Sequence, residues 1–172
     1  MNTNNGKSIM LGPKQDIISW DDCFMALAKL FTERSRDPNT QVGACIVNNL
    51  NHVIGVGFNG LPRNCDPNLF PWDREGSFLD TKYAYCSHAE ANAIDNGDKI
   101  RIAGSRIYTT LFPCNNCAIR IIQNGIIEVI YLSDKYHDTE ASEASRRLFA
   151  AAGVKTRQLT CERKQIIIDL EK

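Results

Sequence analysis

The stretch that decides the fold is RIYTTLFPCNNCAIRIIQNGIIEVIYL, residues 106–132. Its first six residues, 106–111, are rich in β-branched and aromatic side chains and predict a strand. Residues 114–124 predict a helix, which Gly125 closes as a favourable residue just beyond a last turn. The β-rich run 126–132 follows at once. The stretch therefore predicts a strand, a helix and a second strand in direct succession.

The flanking sequence extends this alternation of strands and helices. Ser19 is a suitable N-cap for a first helix that ends near Arg34, because apolar side chains recur there at helical spacing. The other predicted elements are a hairpin at 42–47 and 53–58, helices at 88–96 and 139–152, and a strand at 154–159. Together they predict an α/β fold, a three-layer α/β/α sandwich whose mixed sheet of about five strands is covered by helices on both faces.

Three segments fall outside this pattern. Residues 60–85 contain three prolines and little periodicity, and such long irregular stretches inside a compact domain are usually functional. The apolar run 166–168 predicts an added strand or a packing arm. Residues 1–15 are polar and predict an N-terminal extension to a single domain that spans 16–172.

Composition limits the possible functions. A chain of 172 residues that is 43% apolar can bury one full hydrophobic core. Twenty basic and twenty acidic side chains give a net charge of zero, which argues against a polynucleotide partner and favours a small polar substrate. No apolar run is long enough to predict a membrane span, and seven cysteines without a disulfide pattern favour a reducing compartment. We therefore expect a cytoplasmic protein.

Two short motifs carry the chemistry. His88-Ala89-Glu90 reads as H-x-E, and residues 113–117 read as P-C-x-x-C. One histidine and two cysteines supply three zinc ligands and leave the fourth tetrahedral position free for a water, whose pKa zinc lowers from 15.7 to about 7. Glu90 then lies beside the metal as a carboxylate that can carry a proton. Both motifs begin predicted helices, whose N-terminal dipoles favour the thiolate form of cysteine.

Each motif taken alone is also found in unrelated kinds of site. C-x-x-C occurs in structural zinc knuckles and in thioredoxin-like redox pairs, and a lone histidine on an apolar helix is often a core residue. Cys86 lies two residues before His88 and is a further candidate ligand, which would close the site and make it structural, as in a non-catalytic interaction module. The two motifs in this order are the signature of zinc-dependent deaminases of cytosine and adenine, and they favour a catalytic zinc site.

Further segments make the resemblance more specific. These are residues 36–45, 57–60, 79–83, 111–114 and 133–138. With the two motifs, they resemble the deoxycytidylate deaminases of the eukaryotic type, from about the first helix to near the C-terminus. The resemblance implies a cytidine-deaminase-like fold, a Zn²⁺ cofactor, conversion of dCMP to dUMP with release of ammonia, and a homo-oligomer, commonly a hexamer.

The resemblance also implies residue roles. The zinc ligands are His88, Cys114 and Cys117, and the proton shuttle is Glu90. The substrate-binding residues are Arg36, Asn39, Gly43, Ala44, Tyr136 and His137. The regulatory residues are Asn59 and Gly60, in a nucleotide site at which dCTP with Mg²⁺ activates and dTTP inhibits.

The sequence leaves two narrower questions open. A monophosphate is nearly a dianion, so its recognition calls for cations, and Arg36 and His137 are the nearest candidates by motif position. Because the charge of a histidine is marginal near neutral pH, His137 allows dCTP as a second substrate. A polynucleotide-editing deaminase would share the zinc chemistry, but it needs a charged or aromatic path for the strand, which neither the neutral charge nor the 8% aromatic content favours.

Overall fold

The computed structural model describes residues 12–171. Its helices and strands are α1 (Trp20–Thr32), β1 (Gly43–Val47), β2 (Val53–Phe58), α2 (Ala89–Asn96), β3 (Arg106–Leu111), α3 (Asn115–Gln123), β4 (Glu128–Ser133), α4 (Glu140–Ala152) and β5 (Lys155–Gln158). These elements confirm the predicted order and types, and Ser19 caps α1 by accepting a hydrogen bond from the backbone N–H of Asp22. None of the helices within the described range is long and apolar enough to cross a membrane.

The strands form one mixed sheet in the order β2-β1-β3-β4-β5. β1 pairs antiparallel with both β2 and β3, while β3, β4 and β5 run parallel. The parallel pairing of β3 with β4 requires a crossover, which α3 supplies. The prediction of a mixed five-stranded sheet is confirmed.

Helices cover both faces of the sheet. On one face, Phe24, Met25 and Ala28 of α1 pack on buried side chains of β1 and β3. On the other face, α2, α3 and α4 bury their apolar sides against the same strands, with Phe149 of α4 in that core. The result is the three-layer α/β/α sandwich that the alternation of elements predicted.

Two glycines allow helices to lie unusually close to the hairpin. A Cβ placed on Gly43 would come within 1.9 Å of the carbonyl oxygen of Ala28 in α1. A Cβ on Gly57 would lie 2.3 Å from the backbone nitrogen of Ala93 in α2. Any side chain at either position would displace a helix. Gly57 of β2 therefore allows the close approach of α2, the helix that His88 precedes.

The irregular segments differ in how well they were predicted. The chain between β2 and α2 forms an isolated bridge of Gly60 with Ser87 and short 3₁₀ turns, at Pro67–Leu69, Phe78–Asp80 and Lys82–Ala84, as its composition indicated. The added strand proposed for 166–168 is wrong, because these residues form no strand and the side chain of Ile167 is 82% exposed. The predicted extension at 1–15 lies mostly outside the described residues.

Candidate active site

Three potential metal ligands converge from the starts of two helices. His88 is the N-cap residue of α2, Cys114 is the N-cap residue of α3, and Cys117 lies in the first turn of α3. Neither N-cap side chain makes a capping hydrogen bond, so both are free to turn towards each other. His88 Nδ1 lies 3.4 Å from the Sγ atoms of both cysteines, and the three atoms fall within 4.8 Å of one another. One imidazole nitrogen and two thiol sulfurs in this arrangement fit the ligand set of a catalytic zinc ion.

The electrostatics of the cluster favour a divalent cation. The hydrogen bond from Cys117, followed by that from His88, lowers the pKa of Cys114 to about 4 despite burial. The hydrogen bond between the two cysteines raises the pKa of Cys117 well above its usual value. The hydrogen bond between His88 and Cys114 raises the pKa of His88 to about 9. One negative charge on the cysteine pair is thus favoured and a second is opposed. A divalent cation among the three atoms would remove that opposition.

Glu90 lies in the first turn of α2, beside this cluster. Its side chain is buried, and burial raises its pKa although the charge of His88 acts in the opposite direction. A buried carboxyl group that holds its proton more tightly than usual is suited to transferring that proton to a bound ligand. Glu90 is not among the three clustered ligand groups, which leaves its carboxyl group available for proton transfer.

A cavity of about 320 Å³ opens in front of the cluster. This volume lies within the range of small-molecule sites in proteins. The polar and charged side chains that line it, apart from the metal cluster and Glu90, are Asp37, Thr40, Asn59, Arg74, Lys82, Tyr83, Cys86, Tyr136, Thr139 and Ser142. The lining is completed by apolar residues and suits a flat ring with polar substituents; these residues are Val42, Ala89, Leu111, Phe112 and Ala141.

Of the six residues predicted to bind substrate, the structure brings only Tyr136 into the cavity lining. Gly43 and Ala44 are buried in β1, and the small size of Gly43 is explained by the close approach of α1. The side chains of Arg36, Asn39 and His137 are exposed, and those of Asn39 and His137 contact backbone carbonyl groups outside the cavity. Asn39 donates to the carbonyl of Trp72 at 3.0 Å, and the ring of His137 lies 3.2 Å from the carbonyl oxygen of Asp134, while Arg36 is exposed outside the lining. A substrate contact by these five residues stays a prediction.

The two residues predicted to be regulatory, Asn59 and Gly60, lie next to the catalytic site. Asn59 is buried and lines the catalytic cavity itself. Gly60 exchanges two backbone hydrogen bonds with Ser87, at 3.0 and 2.8 Å, and so fixes the chain just before His88. Their regulatory role stays a prediction.

Sequence reasoning missed two cations of the cavity lining, Lys82 and Arg74. Lys82 forms a buried ion pair with Asp37, although the two residues are 45 positions apart in sequence. Arg74 donates to the hydroxyl group of Tyr83 at 3.2 Å and lies over the ring of Tyr136. Both cations come from the irregular segment between β2 and α2, where no periodicity indicates which side chains turn inward.

Comparison with known proteins places the chain in a family. Residues 18–133 match the model of the cytidine and deoxycytidylate deaminase zinc-binding region. The chain is 50% identical over 159 residues to the deoxycytidylate deaminase of Mus musculus, covering 92% of this chain and 89% of the relative. It is 48% identical to that of Homo sapiens over the same shares of both chains. This chain belongs to the cytidine and deoxycytidylate deaminase family.

Solved structures of the family share its fold. A dCMP deaminase of the cyanophage S-TIM5, in complex with dCMP and dUMP, superposes with a TM-score of 0.62. That match has 26% sequence identity and covers 80% of this chain and 94% of the phage protein. The predicted cytidine-deaminase-like architecture is thereby confirmed, and the cluster of His88, Cys114 and Cys117 lies within the zinc-binding region that the family model defines.

Proposed function

We propose that the protein is a zinc-dependent deoxycytidylate deaminase, which hydrolyses dCMP to dUMP and ammonia. The observation that carries the proposal is the convergence of His88, Cys114 and Cys117 beside the buried carboxyl group of Glu90, at one end of a cavity. The high identity to relatives named deoxycytidylate deaminase over most of the chain supports the choice of substrate.

The residues of the site divide the chemistry between them. A zinc ion held by His88, Cys114 and Cys117 would supply an activated water as the nucleophile. Glu90 takes a proton from the attacking water at its carboxylate and passes it to N3 of the cytosine ring. It then takes the proton that remains on the new C4 hydroxyl group and delivers it to the amine, which leaves as ammonia while the C4 carbonyl forms. The burial of Glu90, which raises its pKa, favours the protonated form from which the proton is delivered. The apolar lining at Leu111 and Phe112 shields the ring from bulk water.

We expect the phosphate group to be required for efficient turnover. The cavity lining contains Arg74 and Tyr136, and the pKa of Tyr136 is lowered by its hydrogen bond with Thr40 and by nearby cations, which indicates a local positive potential. An anionic substrate is favoured there, and a nucleoside without phosphate lacks the corresponding attraction. Catalytic efficiency on dCMP should therefore greatly exceed that on deoxycytidine. The comparison should include dCTP and the His137→Ala variant, because use of dCTP that depends on His137 would support the alternative that the enzyme also accepts dCTP as a substrate. Equal use of deoxycytidine and dCMP would show that the phosphate is not recognised.

We further propose that the enzyme is a homo-oligomer, a hexamer by resemblance to its family, in which dCTP with Mg²⁺ activates and dTTP inhibits. Asn59 and Gly60 support a coupling between regulation and catalysis, because the turn they form touches both the cavity lining and the chain before His88. Such an enzyme would supply dUMP for thymidylate synthesis in the cytoplasm. We propose that it consists of a single domain at 16–172, which follows the polar extension 1–15.

Regulation predicts a specific kinetic pattern. Saturation by dCMP should be sigmoidal alone, become hyperbolic with dCTP and Mg²⁺, and be suppressed by dTTP, because each effector shifts the equilibrium between two states of the oligomer. Initial rates measured over a range of dCMP concentrations check this. Hyperbolic kinetics that neither nucleotide alters would rule out regulation while leaving catalysis unaffected.

A further inference from the structure

A buried hydrogen-bond network forms one wall of the cavity, and the carboxylate of Asp37 within it already accepts as many hydrogen bonds as it can. Oδ1 of Asp37 accepts the backbone N–H groups of Asn39 and Thr40 at 2.8 and 3.1 Å. Oδ2 accepts from the amide of Asn59 at 3.2 Å and from the ammonium group of Lys82. A carboxylate offers about four lone-pair sites. Asp37 therefore has no acceptor capacity left for a ligand.

Asn59 is saturated in the same way. Its Oδ1 accepts from the backbone N–H of Val42 at 2.8 Å and from the hydroxyl group of Ser35 at 2.9 Å. Its Nδ2 donates to Asp37 and to the carbonyl oxygen of Thr40, at 3.2 and 2.9 Å. An amide side chain has two donors and two acceptor sites, and all four are used. Asn59 holds the wall in place but offers a ligand nothing further.

Lys82 is the exception in this network. Its ammonium group has three donors, and within residues 12–171 its one hydrogen-bond acceptor is Asp37. The residue is 7% exposed, yet it lines the cavity. Burying a hydrogen-bond donor without an acceptor costs free energy. A ligand oxygen in the cavity that accepted from the free donors of Lys82 would recover this free energy.

We propose that Lys82 is a substrate-binding residue, and that its free donors bind the 3′-hydroxyl oxygen of the nucleotide sugar. The proposal rests on the proposed function, since it takes dCMP as the substrate. A 2′-deoxynucleotide carries one free hydroxyl group on its sugar, so one donor position in the wall suffices to recognise it.

The charge distribution favours the hydroxyl group over the phosphate as the acceptor. The charge of Lys82 is already neutralised by Asp37, whose carboxylate would repel a phosphate dianion at that wall. Arg74 lines the same cavity with its guanidinium beside tyrosines instead of a carboxylate. The phosphate therefore goes towards Arg74, and Lys82 binds an uncharged oxygen.

The test compares dCMP with 2′,3′-dideoxycytidine 5′-monophosphate, which lacks only the 3′-hydroxyl group. The wild-type enzyme should prefer dCMP in kcat/KM by about 10- to 100-fold, the range for a hydrogen bond to a charged group. Lys82→Met should lose this preference by lowering turnover of dCMP without lowering that of the dideoxynucleotide. Because deoxycytidine also carries the 3′-hydroxyl group, its turnover should fall in proportion, which leaves the relative use of dCMP and deoxycytidine unchanged. Lys99→Met removes a lysine from an exposed ion pair with Asp95 and should retain the wild-type preference.

The outcomes separate the inference from the proposed function. No turnover of dCMP by the wild-type enzyme would refute both. Three outcomes would overturn the inference alone. The wild-type enzyme could turn over dCMP without preferring it to the dideoxynucleotide, or the preference could survive in Lys82→Met. The third outcome is a Lys82→Met variant that has lost its discrimination between dCMP and deoxycytidine. If Lys82→Met fails to fold because Asp37 is left buried and unpaired, the double variant with Asp37→Asn replaces it, since no buried charge then remains in the pair.

Discussion

Replacing Glu90 with glutamine is expected to lower the turnover of dCMP by at least about 10²- to 10⁴-fold, the usual contribution of general acid–base catalysis. Glutamine keeps the shape of the side chain but cannot carry the proton. Since Glu90 lies outside the cluster of three ligands, the variant should retain zinc in the wild-type amount. Steady-state kinetics and metal analysis of the same preparation check both statements.

Glu143→Gln is a matched control for this experiment. Glu143 pairs with Arg147 on the exposed side of α4, so its replacement should leave turnover unchanged. Near-normal turnover in the Glu90→Gln variant would mean that another group carries the proton. Loss of zinc together with activity would mean that Glu90 acts on the metal site instead.

Cys117→Ala is expected to abolish both zinc binding and activity. It should also lower the melting temperature of the zinc-loaded protein, because the ligands join the start of α2 to that of α3. A ligand that binds only the folded state at 1,000 times its dissociation constant stabilises that state by about 4 kcal/mol. Metal analysis, a deamination assay and thermal unfolding with and without a chelator measure the three effects.

Cys65→Ala serves as the control for loss of a thiol. Cys65 lies in the irregular segment after β2, outside the metal cluster, so its replacement should leave zinc content and activity intact. Stoichiometric zinc and normal activity in Cys117→Ala would show that the ligand assignment is wrong. Cys86, which also lines the cavity, would then be the next cysteine to replace.

The order and type of the helices and strands could be predicted because each carries its own local signal. Ser19 caps α1 as expected, and Gly153 ends α4 in the left-handed conformation that favours glycine. The apolar run 166–168 misled the prediction because β-branched side chains alone do not supply a pairing partner. The tail is instead held where Asp22 accepts the backbone N–H groups of Glu162 and Arg163.

The site could be predicted only where it follows from motif spacing. His88 is the N-cap residue of α2, and Glu90 and Cys117 lie in the first turns of α2 and α3. The match of both motifs to one deaminase signature therefore predicts that these residues share a site. The cavity wall depends on long-range contacts such as the pairing of Lys82 with Asp37 across 45 positions. No local pattern encodes that contact, and the positions of Arg36 and His137 outside the cavity lining could not be read from their motifs for the same reason.

The most direct test of the deaminase function is the product analysis of a single reaction. The zinc-loaded full-length protein is incubated with dCMP, and dUMP and ammonia are quantified together. We expect equal amounts of the two products, formed at a rate that a chelator abolishes and that added zinc restores. Zinc-loaded protein that releases no more ammonia from dCMP than its Glu90→Gln variant would contradict this function.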